Sequence, residues 1–379
     1  MKKITILALH LGYGGVEKSI ASLSNILVEK YDVEIISVYK LYDEPVFEID
    51  KRVKITYLLE TNLSPNKREL REAIKEKDII RIFKESIKSA KILKLKKSKM
   101  IKAIKNIDSG IVISTRVEHN EILSRFGSDN IIKIAQEHTH HNDDQSFIQR
   151  LIDSCHNIDY LMPVSNELTK FYSKKLKDTK TKCLYIPHSL DYIPKDTSSL
   201  SNKNIISIGR LSKEKGYDDL IEVFRIVMQK KPDWTLNIIG DGEERENLEN
   251  QIDKRNITTN VILHGYRDKA YIGNMLLNSS IYTMGSHEES FGIVLIEAQS
   301  YGIPCIAFDS AKGAIEIIES NENGYLIENR DKQEMANKVI KLIEDKELRE
   351  YMGKKSRENA YKYSKENIAK QWFDLIERF

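Results

Sequence analysis

Residues 204–216, NIISIGRLSKEKG, give the clearest indication of the fold of this 379-residue chain. The first half of this stretch is an apolar, isoleucine-rich run typical of a buried strand, and its second half is a polar loop that ends at Gly216. A helical pattern follows directly, with Leu220, Val223 and Phe224 on one face. A strand, a glycine-bounded loop and a helix in this order form the repeating unit of a parallel α/β sheet.

The same alternation extends toward both ends of the chain. Toward the amino terminus, short apolar runs predict strands at 4–10, 33–38, 53–59, 110–115, 131–136 and 159–165. Toward the carboxy terminus, similar runs lie at 235–240, 261–265, 281–285, 303–308 and 324–327. Between the two sets, 188–203 is rich in loop-forming residues and predicts a linker. We therefore predict two Rossmann-like, doubly wound α/β domains, 1–187 and 204–361, that face each other across a cleft.

The composition excludes several classes of protein. Hydrophobic residues make up 40% of the chain and charged residues 31%, which excludes a disordered polymer. The 60 Lys and Arg against 57 Asp and Glu leave a net charge of +3, too balanced for a protein that binds nucleic acid over its whole surface. Cys155, Cys183 and Cys305 have neither disulfide nor zinc spacing, which predicts a cytoplasmic protein.

The first residues have one feature of a signal peptide, because Lys2 and Lys3 precede an apolar run. That run stops at His10 and leads into Glu17 without a cleavage-like site, so we predict a first strand instead. No stretch reaches the roughly 18 apolar residues of a membrane span. The sequence therefore predicts a protein that is soluble or peripheral at a membrane.

One segment departs from the overall charge balance. Residues 67–105 contain fifteen Lys or Arg and five Asp or Glu, with apolar residues at helical spacing from Ile79 to Ile104. This pattern predicts a basic amphipathic helical region in the first domain. Three interpretations stay open: a solvated helix face, a docking surface for an anionic membrane, or a nucleic-acid site. The last is disfavoured because no pattern of interleaved aromatic residues accompanies the charge.

The loop at 209–216 carries the first chemical signal. Arg210 and Lys215 lie at the carboxyl end of a predicted strand, five residues apart. A diphosphate needs partners that stay cationic, and a guanidinium can grip it at two oxygens. The alternative is a pair of solvated loop cations.

The second signal is GSHEESFGIVLIE at 285–297. Glu289 falls in the loop after a strand, where it is either a ligand-binding carboxylate or a partner of the helix dipole. The predicted helix that follows offers free backbone amides to a phosphate. The residues at its start are Ser290, Phe291, Gly292, Ile293 and Val294. Glu297 lies among apolar helix residues, where a carboxylate costs free energy unless it meets groups such as the vicinal hydroxyls of a ribose or hexose.

Together these motifs resemble those of a GT-B glycosyltransferase of family GT4. The order is GRLSKEKG, then GDG at 240–242, then Glu289 and Glu297, then EAQSYGIPCIAFD at 297–309. GGVEKS near the amino terminus is similar to the family's glycine loop. The resemblance covers nearly the whole chain and implies that the closing helix, about 362–379, returns to the first domain.

The resemblance implies roles for residues of the second domain. Arg210 and Lys215 would bind the diphosphate of a nucleotide-sugar donor, Glu289 the transferred sugar, and Glu297 the ribose. The loop that resembles the base-packing loop of the family contains His264, Gly265, Tyr266 and Arg267.

In the first domain, the resemblance implies that Gly14 and Gly15 let the backbone approach the diphosphate and the acceptor. His138 lies in EHTHHNDD at 137–144 and would face the cleft; the alternatives for this cluster are a metal site or a polar loop. No metal is expected, because His140 and His141 are adjacent and no fourth ligand is suitably spaced.

The candidates for the acceptor side are His10, Ser114, Arg116 and His138. A packed histidine and a strand cap are the alternatives for His10 and for 114–116.

The resemblance implies a retaining glycosyltransferase that moves a hexose or N-acetylhexosamine from a UDP-sugar to a hydroxyl. The acceptor would be a lipid-linked or cell-surface polysaccharide or a teichoic-acid-type polymer at the inner face of the plasma membrane. No Asp-x-Asp motif follows a strand, so Arg210, Lys215 and helix amides are expected to neutralise the leaving diphosphate without a metal cofactor.

Two alternatives stay open. A nucleotide-sugar 2-epimerase of the same fold would need no acceptor. A catalytically silent partner subunit of a glycosyltransferase complex commonly loses the two cations or the two glutamates, all of which stand here. The sequence also departs from the family at His188-Ser189, where Asn-Gly is common, and at Gly313-Ala314, where Gly-Pro is common.

Overall fold

The chain divides into two compact units in a computed structural model that describes residues 2–60, 63 and 65–379. Unit 1 contains the described residues up to Ser189 together with Ala369–Phe379, and unit 2 contains Leu190–Ile368. Residues 188–203, where a linker is predicted, form neither helix nor strand and are divided between the units.

Unit 1 is a parallel sheet flanked by helices. Its strands are β1 Lys3–Ala8, β2 Asp32–Tyr39, β3 Lys54–Leu59, β4 Gly110–Ser114, β5 Ile131–Glu137, β6 Tyr160–Pro163 and β7 Lys182–Cys183. Its helices are α1 Gly15–Leu27, α2 Lys67–Lys75, α3 Ile79–Lys105, α4 Val117–Phe126, α5 Gln145–Ser154 and α6 Asn166–Lys175. Among the described residues the strand order is β3-β2-β1-β4-β5-β6-β7. The apolar runs become strands because both faces are covered: Ile4 and Ile6 are fully buried in the central strand.

Unit 2 repeats this plan. Its strands are β8 Asn204–Ile208, β9 Thr235–Ile239, β10 Val261–Leu263, β11 Ile281–Met284, β12 Cys305–Phe308 and β13 Gly324–Ile327. Its helices are α7 Tyr217–Lys230, α8 Arg245–Lys254, α9 Lys269–Leu277, α10 Ile293–Ser300, α11 Lys312–Ile317, α12 Lys332–Glu344 and α13 Lys346–Ala360. The strand order of the described sheet is β10-β9-β8-β11-β12-β13, again all parallel. The predicted α/β class, with its two doubly wound sheets, is confirmed.

The last helix, α14 (Lys365–Ile376), starts in unit 2 and ends in unit 1. Within unit 1, the Lys2 ammonium donates to the Ile376 carbonyl at 2.9 Å, and the Tyr31 ring meets the Phe373 ring at 5.9 Å. The carboxy-terminal residues thus complete the core of unit 1. None of the helices formed by the described residues combines the length and the apolar character that a bilayer crossing requires.

Candidate functional site

The candidate site of unit 2 lies where its strand order reverses direction, between β8 and β11. Helices leave these neighbouring strands toward opposite sides, which opens a crevice at the carboxyl ends of the strands. GRLSKEKG follows β8 and Gly285–Glu289 follows β11, so the two strongest sequence motifs border the same crevice.

Two glycines hold these motifs in contact. Gly216 has φ +59°, and a Cβ atom there would lie 2.1 Å from the Gly285 carbonyl oxygen. A Cβ at Gly285 would in turn lie 2.4 Å from the Gly216 carbonyl oxygen. Any larger residue at either position would push the loops apart, so the glycines allow the close approach that places Lys215 beside Glu289.

Lys215 and Glu289 form a charged hydrogen bond across this contact. The Lys215 Nζ lies 2.6 Å from Glu289 Oε2, and the two side chains are 23% and 17% exposed. A charge-assisted bond of this length is strong, yet both groups keep a solvent-facing edge. An anionic ligand that approaches Lys215 must therefore share the ammonium with Glu289 or displace the carboxylate.

Arg210 is placed differently from Lys215. Its side chain is 68% exposed, and its Nη2 lies 3.9 Å from Glu214 Oε1, at the outer limit of an ion pair. Glu214 accepts a 2.6 Å hydrogen bond from the Ser212 hydroxyl, which is the main cause of its lowered pKa. Arg210 extends into solvent at the strand end, where its guanidinium can move toward a ligand.

The start of α10 presents backbone amides beside this pair. Gly292 precedes the helix with φ +90°, and no side chain caps the amides of the first turn. The Gly313 amide donates to the Glu289 carbonyl at 2.8 Å, so the loop after β12 supports the loop before α10. Phe291 points into the core, against the Tyr363 ring at 6.0 Å. Only the backbone of Phe291 can therefore serve a ligand, whereas Ser290 and Glu297 are half-buried.

The loop at 264–267 follows β10, at the edge of the sheet. His264 is fixed between Asn237 Oδ1 and the Tyr271 hydroxyl, each at 2.9 Å. Gly265 has φ +70°, and its carbonyl accepts from the Gly240 amide. Arg267 lies over the Tyr271 ring at 4.9 Å, which leaves the exposed ring of Tyr266 as the flat surface of this loop.

Arg330 is a functional candidate that the sequence did not reveal. Its guanidinium donates to the Gly285 carbonyl at 2.8 Å and to the Ser286 carbonyl at 2.9 Å. Asp219 holds it from the other side at 2.5 Å. Arg330 therefore fixes the turn that carries Glu289. A single loop arginine 45 residues from that turn has no distinguishing sequence pattern.

The structure offers poor ligands for a metal ion. Ligand atoms of Asp218, Asp219 and His287 lie within 4.8 Å of one another, but Asp219 is already bonded to Arg330 and to Lys332 at 2.7 Å. These two cations leave the carboxylate unsuited to a divalent ion. Within the part of the chain that the structure describes, 137–144 forms no comparable group.

The candidate site of unit 1 also lies where its strand order reverses, between β1 and β4. His10 follows β1 and Arg116 follows β4, and a buried carboxylate joins them. Glu17 Oε1 is 2.9 Å from Arg116 Nη2 and 3.5 Å from His10 Nδ1. Burial lowers the pKa of His10, although the adjacent Glu17 opposes that effect. The positive charge of Arg116 is thus balanced inside the protein.

Gly14 and Gly15 form the exposed start of α1. A Cβ at Gly14 would lie 2.0 Å from Glu17 Oε2, so the carboxylate of Glu17 folds back over this glycine. Apart from the adjoining residues and the backbone of α1 itself, no atom of the described residues lies within 4 Å of a Cβ built on Gly15. The backbone of Gly15 is therefore open to a ligand, while that of Gly14 is shielded by Glu17.

His138 follows β5 and stacks on His188. The two rings are nearly parallel, at 7°, with their centroids 5.3 Å apart. The His188 Nδ1 meets the Ser19 hydroxyl at 3.0 Å, and no described residue bonds His138 Nε2. Burial lowers the pKa of His188 to about 4 and that of His138 well below its usual value, so both rings are neutral at pH 7.

Glu137 lies beside this stack as a second unusual carboxyl. Burial raises its pKa to about 7, and Oε1 accepts from the Thr139 amide at 2.8 Å while Oε2 has no partner among the described residues. Ser114, in contrast, is fully buried and its hydroxyl donates to Asn120 Oδ1 at 2.5 Å, as a strand cap would. The structure thus brings Arg116 and His10 together around Glu17 and turns Ser114 inward.

Known proteins resemble this chain in sequence. The model of the family described as glycosyl transferases group 1 matches residues 191–359. An uncharacterized glycosyltransferase of Haemophilus influenzae is 28% identical over 389 residues, covering 99% of this chain and 100% of that protein. The poly(ribitol-phosphate) alpha-N-acetylglucosaminyltransferase of Staphylococcus aureus is 34% identical over 177 residues, which are 46% of this chain and 36% of that longer protein.

Solved structures resemble the whole chain in fold. A mutant of S. aureus TarM in complex with fondaparinux, alpha-GlcNAc-glycerol and UDP has a TM-score of 0.77 at 18% identity, covering 99% of this chain and 100% of that one. Anabaena Alr3699/HepE in complex with UDP has a TM-score of 0.74 at 16% identity and covers both chains completely. These likenesses confirm the predicted GT-B fold.

Proposed function

We propose that the chain is a retaining glycosyltransferase, and the first support is that residues 191–359, most of unit 2, match the model of the glycosyl transferases group 1 family. It moves a hexose or N-acetylhexosamine from a UDP-sugar to a hydroxyl of a lipid-linked or cell-surface glycan or a teichoic-acid-type polymer. Support for the donor comes from the UDP bound in structures of the same fold. Support for the acceptor comes from the polymer-modifying S. aureus relative.

One observation carries the proposal: Lys215 and Glu289, 74 residues apart, are hydrogen-bonded beside the uncapped start of α10. When the bond from the sugar to the diphosphate breaks, negative charge develops on the leaving oxygen. A preorganised ammonium and helix amides stabilise that charge without reorganising. Arg210 completes the cationic surface once it turns toward the ligand. These groups supply the charge that a divalent metal supplies elsewhere, so we propose transfer without a metal cofactor.

The chemistry assigned to unit 1 is that of a hydroxyl acceptor. Neutral imidazoles accept or donate hydrogen bonds without attracting a second anion, and His138 is held neutral by burial and by its neighbours His188 and Arg116. In a retaining reaction the departing diphosphate takes the acceptor proton on the face from which it leaves. His138 then orients the acceptor or the sugar and need not act as the base.

The acceptor also suggests where the enzyme works. A lipid-linked precursor is held at a membrane, and we propose that the chain is peripheral on the inner face of the plasma membrane. The basic segment 67–105 would bring it there.

A donor screen tests the proposal directly. Nucleotide-sugars are compared by thermal shift, where a donor at about 100 times its Kd stabilises the protein by about 2.7 kcal/mol. We expect UDP-sugars to stabilise it. UDP plus an isomerised sugar without acceptor would instead indicate an epimerase, and no donor binding at all would indicate a silent subunit.

The variant Glu289→Gln sharpens this screen because it releases Lys215 from its carboxylate partner. We expect UDP to bind at least as tightly as to the native protein, since the ammonium no longer has to be shared. Sugar transfer should fall, because the carboxylate no longer contacts the transferred sugar. Glu288→Gln, at the exposed neighbouring position, is the matched control. Equal loss of UDP binding and transfer in Glu289→Gln would contradict the assigned role.

A further inference from the structure

An apolar stripe on α3 is open to solvent. Ile79, Phe83 and Ile87 are four residues apart and share one face, and Ile80 lies beside them. These four side chains are between 55% and 83% exposed. Single exposed apolar residues are ordinary, but a contiguous set marks a surface that contacts an apolar partner.

The stripe is presented by a firmly held helix. The carboxy-terminal half of α3 buries Ile92, Met100 and Ile104 in unit 1. At its amino end the Asp78 carboxylate caps the helix by accepting from the Arg81 amide. The stripe therefore has a fixed orientation and does not belong to a frayed end.

Basic residues surround the stripe. The exposed face of α3 continues from Ile87 into Lys91 and Lys94, while Lys84 and Lys88 follow one edge. Of the residues that the structure describes, none forms an ion pair with these four lysines.

Three acidic residues of the same segment have other partners. Glu72 and Glu76 bond the Arg81 guanidinium, and Glu85 bonds Asn66. These carboxylates therefore do not neutralise the four lysines beside the stripe.

We propose that this stripe and its four lysines form a docking surface for an anionic lipid membrane, with Ile79, Ile80, Phe83 and Ile87 entering the interface between headgroups and acyl chains. Exposed apolar residues combined with lysines that no described carboxylate pairs match an apolar interior beneath negative headgroups. A second copy of this chain would bring like charges together. Nucleic acid offers nothing to bury four large apolar side chains. The inference rests on the proposed function only in that a lipid-linked acceptor gives docking a purpose.

The test is sedimentation of the full-length protein with vesicles of phosphatidylcholine alone and of phosphatidylcholine with about a third phosphatidylglycerol. We expect binding to the anionic vesicles only, and release by salt as the Debye length shortens. Phe83→Ser/Ile87→Ser should weaken binding at least tenfold without changing charge. Lys84→Gln/Lys88→Gln/Lys91→Gln should weaken it by about fivefold per lysine.

Matched controls lie in unit 2. Ile262→Ser removes an exposed apolar side chain there, and Lys254→Gln/Lys354→Gln/Lys362→Gln removes three exposed lysines. Both should bind vesicles like the native protein. Thermal unfolding of each variant, and its stabilisation by UDP, separates failure of docking from failure of the fold or of the donor site.

A fluorescent reporter tests the depth of the contact. Trp234 and Trp372 are both buried, so a tryptophan placed by Phe83→Trp reports on the stripe. Its emission should shift to the blue with anionic vesicles, and that of Tyr351→Trp in unit 2 should not. The proposal is overturned by equal binding to both vesicle types, or by native binding in Phe83→Ser/Ile87→Ser. It is also overturned by a concentration-dependent dimer or capture of an acidic protein at this stripe without vesicle binding.

Discussion

The two units order their strands in the same way, yet their candidate sites differ in charge. In unit 2, the guanidinium of Arg210 is exposed, and the ammonium of Lys215, bonded to Glu289, lies near the amides at the start of α10. In unit 1, the cation Arg116 is paired with the buried Glu17, and the stacked imidazoles of His138 and His188 are neutral. The same crevice of an α/β sheet can thus be specialised for an anion or for a neutral polar ligand.

This difference comes from burial and not from residue type alone. A histidine near water is partly protonated at neutral pH, whereas the same ring under desolvation stays neutral. A lysine, which keeps its charge at the surface, serves a diphosphate best when it is left accessible. Substitutions and chelation test this difference between the two candidate sites, and removal of the cations of unit 2 should have the largest effect.

Removing the cations of unit 2 should have the largest effect. Lys215→Ala and Arg210→Ala should each lower turnover by about 10²–10³-fold, since each removes a positive charge that stabilises the leaving diphosphate. Steady-state rates with a UDP-sugar measure this, and Lys213→Ala, at the exposed neighbouring position, is the control. Full activity in both variants would refute the assignment of the diphosphate to this crevice.

Replacing the buried carboxyl of unit 1 should change stability with pH. Burial raises the pKa of Glu137 from 4.5 to about 7, so the folded state retains a proton that the unfolded state has lost. The native protein therefore loses stability as the pH rises from about 4.5 to about 7, by about 3 kcal/mol once the pH is above 7. Glu137→Gln should be more stable than the native protein at pH 8, and this gain should shrink to about 1 kcal/mol or less at pH 5.

Tryptophan fluorescence can report the unfolding of unit 1 alone, because each unit contains one tryptophan. Trp372 lies in unit 1 and Trp234 in unit 2, so urea unfolding of unit 1 can be followed in a Trp234→Phe background. Glu44→Gln, at an exposed position of unit 1, is the control. A stability gain that stays constant from pH 5 to pH 8 would show that the carboxyl of Glu137 does not titrate in that range.

His138→Ala should reduce turnover by less than about 10²-fold. Loss of a general base typically reduces turnover by at least about 10²-fold. A neutral ring that only orients a ligand is less costly to remove. Proton NMR of the isolated product should show an α linkage from an α-linked donor. His140→Ala, in the same loop, is the control. A β product together with complete loss of activity would show that His138 is a base and that the reaction inverts.

Chelation should have no effect. The diphosphate charge is met by Lys215, Arg210 and the amides of α10, and Asp219 is bonded to cationic side chains. Turnover in excess EDTA should equal turnover in buffer. If EDTA lowers turnover and added Mg²⁺ or Mn²⁺ restores it, a metal takes part in the reaction. The charge of the diphosphate would then not be met by the cations of unit 2 alone.

The fold could be predicted because each strand of a buried parallel sheet is a short apolar run that a polar loop follows. The apolar run that opens 204–216 became β8, Asn204–Ile208, and the helix predicted to start around Ser290–Val294 became α10, Ile293–Ser300. These elements depend on local composition, which a sequence contains in full.

What could not be predicted depends on contacts between distant residues. The stack of His138 on His188 and the clamp of Arg330 on Gly285 join loops that no local pattern connects. The apolar periodicity of α3 indicated a shared face, but Ile104 is buried whereas Phe83 and Ile87 are exposed. Helical spacing tells which residues lie together, not whether anything covers them.

The course of α14 has a consequence for the order in which the nascent chain matures. The ribosome makes all of Leu190–Ile368 after the first part of unit 1 and before Ala369–Phe379, so the first part of unit 1 is made long before Phe373 and Ile376. At about 5–20 residues per second, the synthesis of unit 2 alone takes roughly 10–40 s. During this time the Tyr31 ring lacks its contact with Phe373, and the Lys2 ammonium lacks the Ile376 carbonyl. A truncation that removes Ala369–Phe379 would therefore leave every residue of unit 2 in place and remove part of the core of unit 1.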